Sequence, residues 1–335
     1  MNRLQIKRAK NIYADSSIDL IMKSLMLLTL VLLLCSNGSL GLANNVTFDE
    51  LMASALRSLV VDSSADLKSY SFDMEMSQEI DLVNLSTNET QKLCTRSLGY
   101  GMANMTQKAL KLYMASLSHT LGDKDDTSAI AIEEYLINDT IYMKVDGNWT
   151  VIEMPGIADT WATQNAMTQQ LDMFNQSRLT LIGSENVEGD DCYKVRAEIN
   201  MEAMSDQLLE DVTSLLPMKS INYNEIFRNM TLDICYWITK DTHLLKKTEI
   251  IESFAVTPQS LGITGNQSED MEMNIKSTVT MLFEGFNESV TVSLPSEATK
   301  AQPFPMGLIA SEEVSTIRDD NETLINGTLK NDVIA

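Results

Sequence analysis

The sequence predicts an α+β protein, with about ten to twelve antiparallel strands and two or three helices in one domain. Three observations predict it. Most segments between residues 68 and 294 alternate apolar and polar side chains with period two. Three stretches repeat at helical spacing instead. No Pro/Gly/Ser-rich linker and no internal repeat divides residues 44–295. The composition agrees: at 44% hydrophobic and 21% charged, the 335-residue chain can bury a large core.

At the N-terminus the run Leu25–Leu34 is apolar except for Thr29, follows Lys23, and precedes the small or polar Ser36, Asn37, Gly38 and Ser39. A basic residue, about ten apolar residues and small residues near a cut site describe a secretory signal peptide, with cleavage after Ala43. Residues 1–43 are therefore read as leader and signal peptide, and Met22-Lys23 as a natural start. The competing reading is an uncleaved anchor, although a spanning helix needs roughly 20 apolar residues. Cys35 follows Leu33 and Leu34, a poor match to a lipobox, and reads as part of the apolar run.

Export has independent support. Asn-x-Ser/Thr triplets begin at Asn37, Asn45, Asn84, Asn88, Asn104, Asn138, Asn148, Asn175, Asn229, Asn266, Asn287, Asn321 and Asn326. The 23 asparagines give thirteen triplets, against about four expected by chance, and the pattern is the N-glycosylation acceptor. The competing explanation is a Thr-rich β composition. An exported, extracellular or cell-surface protein is expected.

After the leader, Phe48, Leu51, Met52, Ala55, Leu56 and Leu59 recur at helical spacing behind a Thr47/Glu50 capping box, an amphipathic helix of about three turns. From Lys68 the period becomes two: Tyr70, Phe72, Met74 and Met76 against Ser71, Asp73, Glu75 and Ser77. Further strands are expected around Leu93–Tyr100, at Leu110, Leu112 and Met114, and at Ile130–Ile137 and Thr140–Val145. Asp146-Gly147 then makes a hairpin turn into Trp149–Met154. Residues 157–174 read as a helix with Trp161, Met167, Leu171 and Phe174 as its apolar points. Strands Leu179–Val187 and Cys192–Ile199 flank Glu188-Gly189-Asp190, and Met201–Leu215 reads as a helix. Strands resume at Met230–Ile238, Leu244–Phe254, Met271–Phe283 and Ser289–Leu294. After Pro295 the pattern fades, and residues 300–335 read as a flexible tail behind a domain spanning 44–299.

In an oxidising compartment one disulfide is expected among Cys94, Cys192 and Cys235. If Cys192–Ile199 pairs with Met230–Ile238 so that Cys192 faces Cys235, the strand lengths agree and both cysteines lie on the polar face. Cys192–Cys235 is the favoured bridge, with Cys94 a buried thiol.

The formal charge is −22, from 25 basic and 47 acidic residues; a surface this acidic repels phosphate, and no nucleic-acid partner is expected. Without residues 1–43 it becomes −25. Two histidines and four cysteines leave little for a zinc site or a His-based triad. No Gly-x-Ser-x-Gly, His-Glu-x-x-His or phosphate loop is present. His119 and His243 have no neighbouring ligand cluster, and Asp125-Asp126 and Asp190-Asp191 read as solvated turn residues rather than a calcium site. No enzyme activity, metal or cofactor is expected.

Several local patterns, in order, resemble a known group: Leu67-Lys68-Ser69-Tyr70-Ser71-Phe72, Tyr135-Leu136-Ile137-Asn138-Asp139-Thr140-Ile141-Tyr142-Met143-Lys144, Asp146-Gly147-Asn148-Trp149, Gly189-Asp190-Asp191-Cys192-Tyr193-Lys194-Val195, Tyr236-Trp237-Ile238-Thr239-Lys240-Asp241-Thr242-His243-Leu244-Leu245, Phe286-Asn287-Glu288-Ser289-Val290 and Leu294-Pro295-Ser296-Glu297-Ala298. Together they make residues 48–299 similar to the LolA/LppX-like superfamily of exported lipoprotein-carrier and lipid-binding proteins, and most of all to its cell-surface branch in archaea and Gram-positive bacteria. The resemblance implies a strongly curved antiparallel sheet, an unclosed half-barrel, wrapped over helices. It also implies an apolar concave cavity that in characterised relatives holds acyl chains or lipid-modified N-termini.

Beside it stands the residue-level reading. Phe72, Met74, Met76, Leu112, Met114, Met143, Met273 and Met281 fall on the apolar phase of their strands. Met is flexible and polarisable and suits an adaptable apolar pocket. Ordinary core packing by Met is the competing explanation. The expected partner is a hydrophobic small molecule or lipid, with membrane or envelope components as further partners. The alternative is a structural or interaction module of the cell envelope without a small ligand.

Overall fold

A computed structural model describes residues 48–121, 126–199, 229–257, 259–260 and 271–303. The leader, the helix expected at Met201–Leu215 and the tail beyond residue 303 lie outside the described residues. Among those residues the chain forms a twelve-stranded, curved, unclosed sheet with three α-helices, the α+β half-barrel expected from the sequence.

Helix α1 (Phe48–Ser64) leads into a meander: β1 (Ser69–Asn84), β2 (Glu89–Asn104), β3 (Ala109–Leu121), β4 (Asp126–Ile137), β5 (Thr140–Val145) and β6 (Asn148–Glu153). Helices α2 (Ile157–Gln164) and α3 (Ala166–Gln176) carry the chain to the far edge of the sheet. A second meander then returns through β7 (Arg178–Val187), β8 (Asp190–Glu198), β9 (Thr231–Thr239), β10 (Leu245–Val256) and β11 (Met271–Glu284), which pairs with β1. The order is β12-β6-β5-β4-β3-β2-β1-β11-β10-β9-β8-β7, so β1 joins the two meanders near the middle. Residues i and i+2 of each strand face the same side, and the antiparallel register lines up their apolar sets into rows.

The inner face is covered by α1 and α3. Ala53, Leu56 and Val60 of α1 and Met167, Met173 and Phe174 of α3 are buried in one cluster with Tyr70, Phe72, Met74, Met76, Ile234, Tyr236, Ile250, Val279, Met281 and Phe283. Each fully buried Val, Leu, Ile, Met or Phe side chain contributes about 1.5–3 kcal/mol. Tyr70, Phe72 and Phe283 form a ring cluster with centroids 6.0–6.3 Å apart.

Local expectations needed correction in five places. Helix α1 is longer than expected and buries a different stripe: Leu56 is inside, whereas Leu51, Met52, Ala55 and Leu59 are exposed. The small Ala53, together with Val60, lets that side of the helix sit close to its neighbours. The single helix over 157–174 is two, divided at Asn165, which is extended at ψ 166° and caps α3 by accepting from the Thr168 N–H. Residues 289–294 form no ladder. They lie on the outer face of the first meander, where Val290, Val292 and Leu294 pack with Tyr135, Tyr142 and Trp149, held by Asn104 Nδ2 donating to the Val290 carbonyl at 2.7 Å. Ordered structure runs past residue 299, through a 3₁₀ turn (Ser296–Lys300) into β12 (Gln302–Pro303), which pairs parallel with β6.

The fifth correction concerns the cysteines. Cys192 stands opposite Thr239, and Cys235 opposite Arg196. The two thiols share the outer face but are offset by four positions, roughly 13 Å along the strands, beyond the reach of a disulfide. All three described cysteines are free. The register is held on the outer face by Trp237. Its ring lies between Lys194 Nζ at 4.6 Å and Lys247 Nζ at 4.2 Å, and its Nε1 donates to Glu185 at 3.0 Å. A four-residue slip would break that stack. Cys94 is half-buried on the outer face opposite His119, not a core thiol.

Candidate functional site

The inner face can be read row by row. The first row runs Phe283, Phe72, Gly101, Leu112, Glu134 and Met143 across β11, β1, β2, β3, β4 and β5. The second runs Leu181, Val195, Tyr236, Thr248, Met281, Met74, Gly99, Met114, Ile132 and Val145. The third holds Ala197, Ile234, Ile250, Val279, Met76, Ser97 and Ser116.

The glycines decide where the large side chains go. A Cβ at Gly101 would stand 2.2 Å from the Phe72 ring, and one at Gly99 would stand 3.1 Å from Met74 Cε. Phe72 and Met74 therefore lean across β2 and close the middle of the face. Cover is uneven on either side. The rows over β8–β11 are buried beneath α1 and α3, with Leu181 half-buried at the β7 edge, whereas Leu112, Met114, Ile132, Met143 and Val145 face inward yet are only half-buried.

Of the eight residues expected to line a cavity, Phe72, Met74, Met76 and Met281 are buried together, with Leu112 and Met114 packed against them. Met143 stands in the same row as Phe72 and Leu112, beside Glu134. Met273 is buried but lies apart, on the row of Leu82 and Val256. A polar belt separates it from the others. In one register row, Ser118, Thr95, Gln78, Ser277 and Glu252 come from the adjacent strands β3, β2, β1, β11 and β10, all between 0 and 8% exposed.

Sequence reasoning missed this belt and Glu134. The signal was available: Gln78 and Ser277 interrupt the apolar phases of β1 and β11, and Glu134 interrupts that of β4. Burial pushes the Glu134 carboxyl above the ordinary range. It does the same for Glu252, opposed by a hydrogen bond from Ser277. Further polar atoms are buried without a hydrogen-bond partner among the described residues: both side-chain polar atoms of Gln170, the Tyr236 hydroxyl and the Thr248 hydroxyl. Leaving such a group unpaired costs about 1–3 kcal/mol.

Other expected positions scatter over the exterior. Asn88, Asn138, Asn148, Asn175, Asn229 and Asn287 are exposed, and Asn84 and Asn104 are half-buried. Asn45, Asn266, Asn321 and Asn326 lie outside the described residues. His119 Nδ1 pairs with Thr127 Oγ1 at 3.0 Å, and His243 occupies a positive-φ turn position between β9 and β10. Asp190 binds Lys246 at 2.9 Å. No group of three or more His, Cys, Asp or Glu is placed to hold a metal among the described residues.

Among solved structures the chain is similar to lipoprotein LppX of Mycobacterium tuberculosis, with 14% identity, 72% of this chain and 99% of that one covered, and a TM-score of 0.37. It is similar to LprF of Mycobacterium bovis, with 15% identity, 73% and 97% coverage and a TM-score of 0.39. A putative outer membrane lipoprotein-sorting protein domain from Vibrio parahaemolyticus matches at 11% identity, 71% and 95% coverage and a TM-score of 0.20. No curated protein sequence matches the chain. A family model matches residues 52–303, the whole of the sheet and its helices except the first turn of α1, and the chain belongs to that family, the family of unknown function DUF6612.

Proposed function

We propose that this is an exported, N-glycosylated cell-surface protein that holds a hydrophobic ligand, a lipid or acyl chain, against the Met-lined inner face of its sheet, without catalysing a reaction. We place it in the cell-surface branch of the LolA/LppX-like group that its motifs resemble. The observation that carries the reading is the uneven cover of the inner face. Leu112, Met114, Ile132, Met143 and Val145 point the same way as the buried core rows but are only half-covered. They continue directly into the buried Phe72, Met74, Met76 and Met281. Apolar surface of this kind favours an apolar occupant by about 25 cal/mol per Å² buried. Met side chains adapt to chains of varied shape.

Native mass spectrometry of the purified protein, with analysis of its lipid extract, tests the reading. A co-purifying apolar ligand is expected, and the delipidated protein should take up a fluorescent fatty acid. An empty extract together with no uptake overturns it. Intact mass before and after enzymatic or chemical deglycosylation tests the glycan assignment.

One observation favours the alternative, an interaction module of the envelope. Leu98, Tyr113 and Leu117 are 54%, 45% and 54% exposed on the outer face of β2 and β3. Specific retention of the protein on purified envelope by a ligand-free domain would support that reading instead.

A further inference from the structure

The polar belt divides the inner face into two apolar zones. Above it lie Met76, Val279 and Ile250; below it lie Ile80, Ile275 and Phe254, then Leu82, Met273 and Val256. Most of the belt pairs internally. Thr95 Oγ1 meets Ser118 Oγ at 2.9 Å, and Ser97 Oγ meets Ser116 Oγ at 2.7 Å just above. Gln78 Nε2 donates to Ser277 Oγ at 3.2 Å, and the Ser277 hydroxyl hydrogen-bonds the Glu252 carboxylate. The series ends at Glu252 Oε1, which has no hydrogen-bond partner among the described residues although Glu252 is only 5% exposed. Buried polar atoms in folded proteins are nearly always paired, so this oxygen calls for a partner from outside the belt.

We propose that Glu252, positioned by Ser277 and Gln78, binds the uncharged ester or amide linkage of an amphiphilic lipid whose apolar parts extend along the rows above and below. This rests on the reading of the inner face as a lipid-binding surface and deepens it by naming the ligand's polar group. A linkage fits better than a terminal headgroup because apolar rows flank the belt on both sides. An uncharged group fits better than a phosphate because no Lys or Arg stands among these row residues to neutralise it. Burial favours the protonated carboxyl, whose O–H can donate to a carbonyl oxygen. Thr248, one row beyond Ile250 on β10, supplies a second unpaired hydroxyl on the same face.

The test uses the delipidated full chain and two probes of equal chain length in phosphatidylcholine vesicles: a fluorescent diacylglycerol and its dialkyl ether analogue, which lacks the carbonyls. Wild type should take up the ester about tenfold more tightly than the ether, the worth of one buried hydrogen bond. Glu252→Gln, which keeps a donor, should retain the preference. Glu252→Leu should bind the ether as wild type does and lose the preference. Glu252→Met is the second apolar variant, and near-UV circular dichroism confirms that each variant is folded. Equal uptake of ester and ether by wild type, or a preference that persists in Glu252→Leu and Glu252→Met, overturns the proposal and leaves an ordered water only at Oε1. Uptake of neither probe also overturns the proposal, whereas the lipid reading itself falls only when the lipid extract is empty and the fluorescent fatty acid is not taken up, a different outcome.

Discussion

The Tyr70 hydroxyl donates to Asn165 Oδ1 at 2.8 Å and accepts from the Met167 N–H at 3.3 Å. Tyr70 is the inner-face residue near the start of β1, and Asn165 is the break between α2 and α3, so this contact ties the helical crossover to the centre of the sheet. Tyr70 is 1% exposed and Asn165 is 1% exposed. Tyr70→Phe should lower stability by about 1–3 kcal/mol, because it leaves the Met167 N–H without that partner. Urea unfolding measures it, and an unchanged midpoint would count against the contact.

Gly101 should tolerate no side chain. An added methyl would meet the Phe72 ring at 2.2 Å, and the ring is enclosed by Tyr70 and Phe283. Gly101→Ala should cost about 1–3 kcal/mol by overpacking. Gly101→Ala combined with Phe72→Leu should recover part of the loss, as a double-mutant cycle would show.

Thiol reactivity should separate the cysteines of the folded domain. Burial pushes the Cys192 thiol up to about 11 and raises Cys235 above its ordinary 9.0. The thiolate is the reactive form. At pH 8 the half-buried Cys94 should label first with a maleimide, and Cys192 and Cys235 only after unfolding. Mapping under non-reducing conditions should recover no Cys192–Cys235 peptide.

Glu252 gives stability an unusual pH dependence. Its folded value lies above the ordinary 4.5, so the folded state holds the proton over a range where the unfolded chain has lost it. Its contribution is full below 4.5 and is lost as pH rises through the folded value, the reverse of an ion-paired carboxylate. Glu252→Gln should remove that loss. The variant's melting temperature should gain on wild type as pH rises from 4 toward 8, and parallel curves would refute the assignment.

Much of the architecture is legible in the sequence. The alternation of Tyr70, Phe72, Met74 and Met76, and of Met273 through Phe283, marks strands and their inner phase because a strand's faces repeat every two residues. Asp146-Gly147 marks its hairpin because both residues adopt positive φ, 49° and 82°. The helix stripe of α1 was less readable. An apolar residue on a helix is a candidate for burial, and packing selects Ala53, Leu56 and Val60 over Leu51 and Leu59.

By itself the sequence determined the strand phases, the helical character of residues 157–174, the acidic balance and the placement of Met on the apolar phase of the strands, all local consequences of side-chain order along the chain. Only the tertiary structure decided the register. It moved Cys192 from Cys235 to Thr239, aligned Ser118, Thr95, Gln78, Ser277 and Glu252 into one belt, and separated Met273 from Met74, Met76 and Met281. Register is a relation between strands distant in the chain. A slip by an even number of residues preserves every apolar phase, so periodicity cannot choose among the alternatives and the packing of particular side chains, Trp237 between two lysines and Phe72 over Gly101, does.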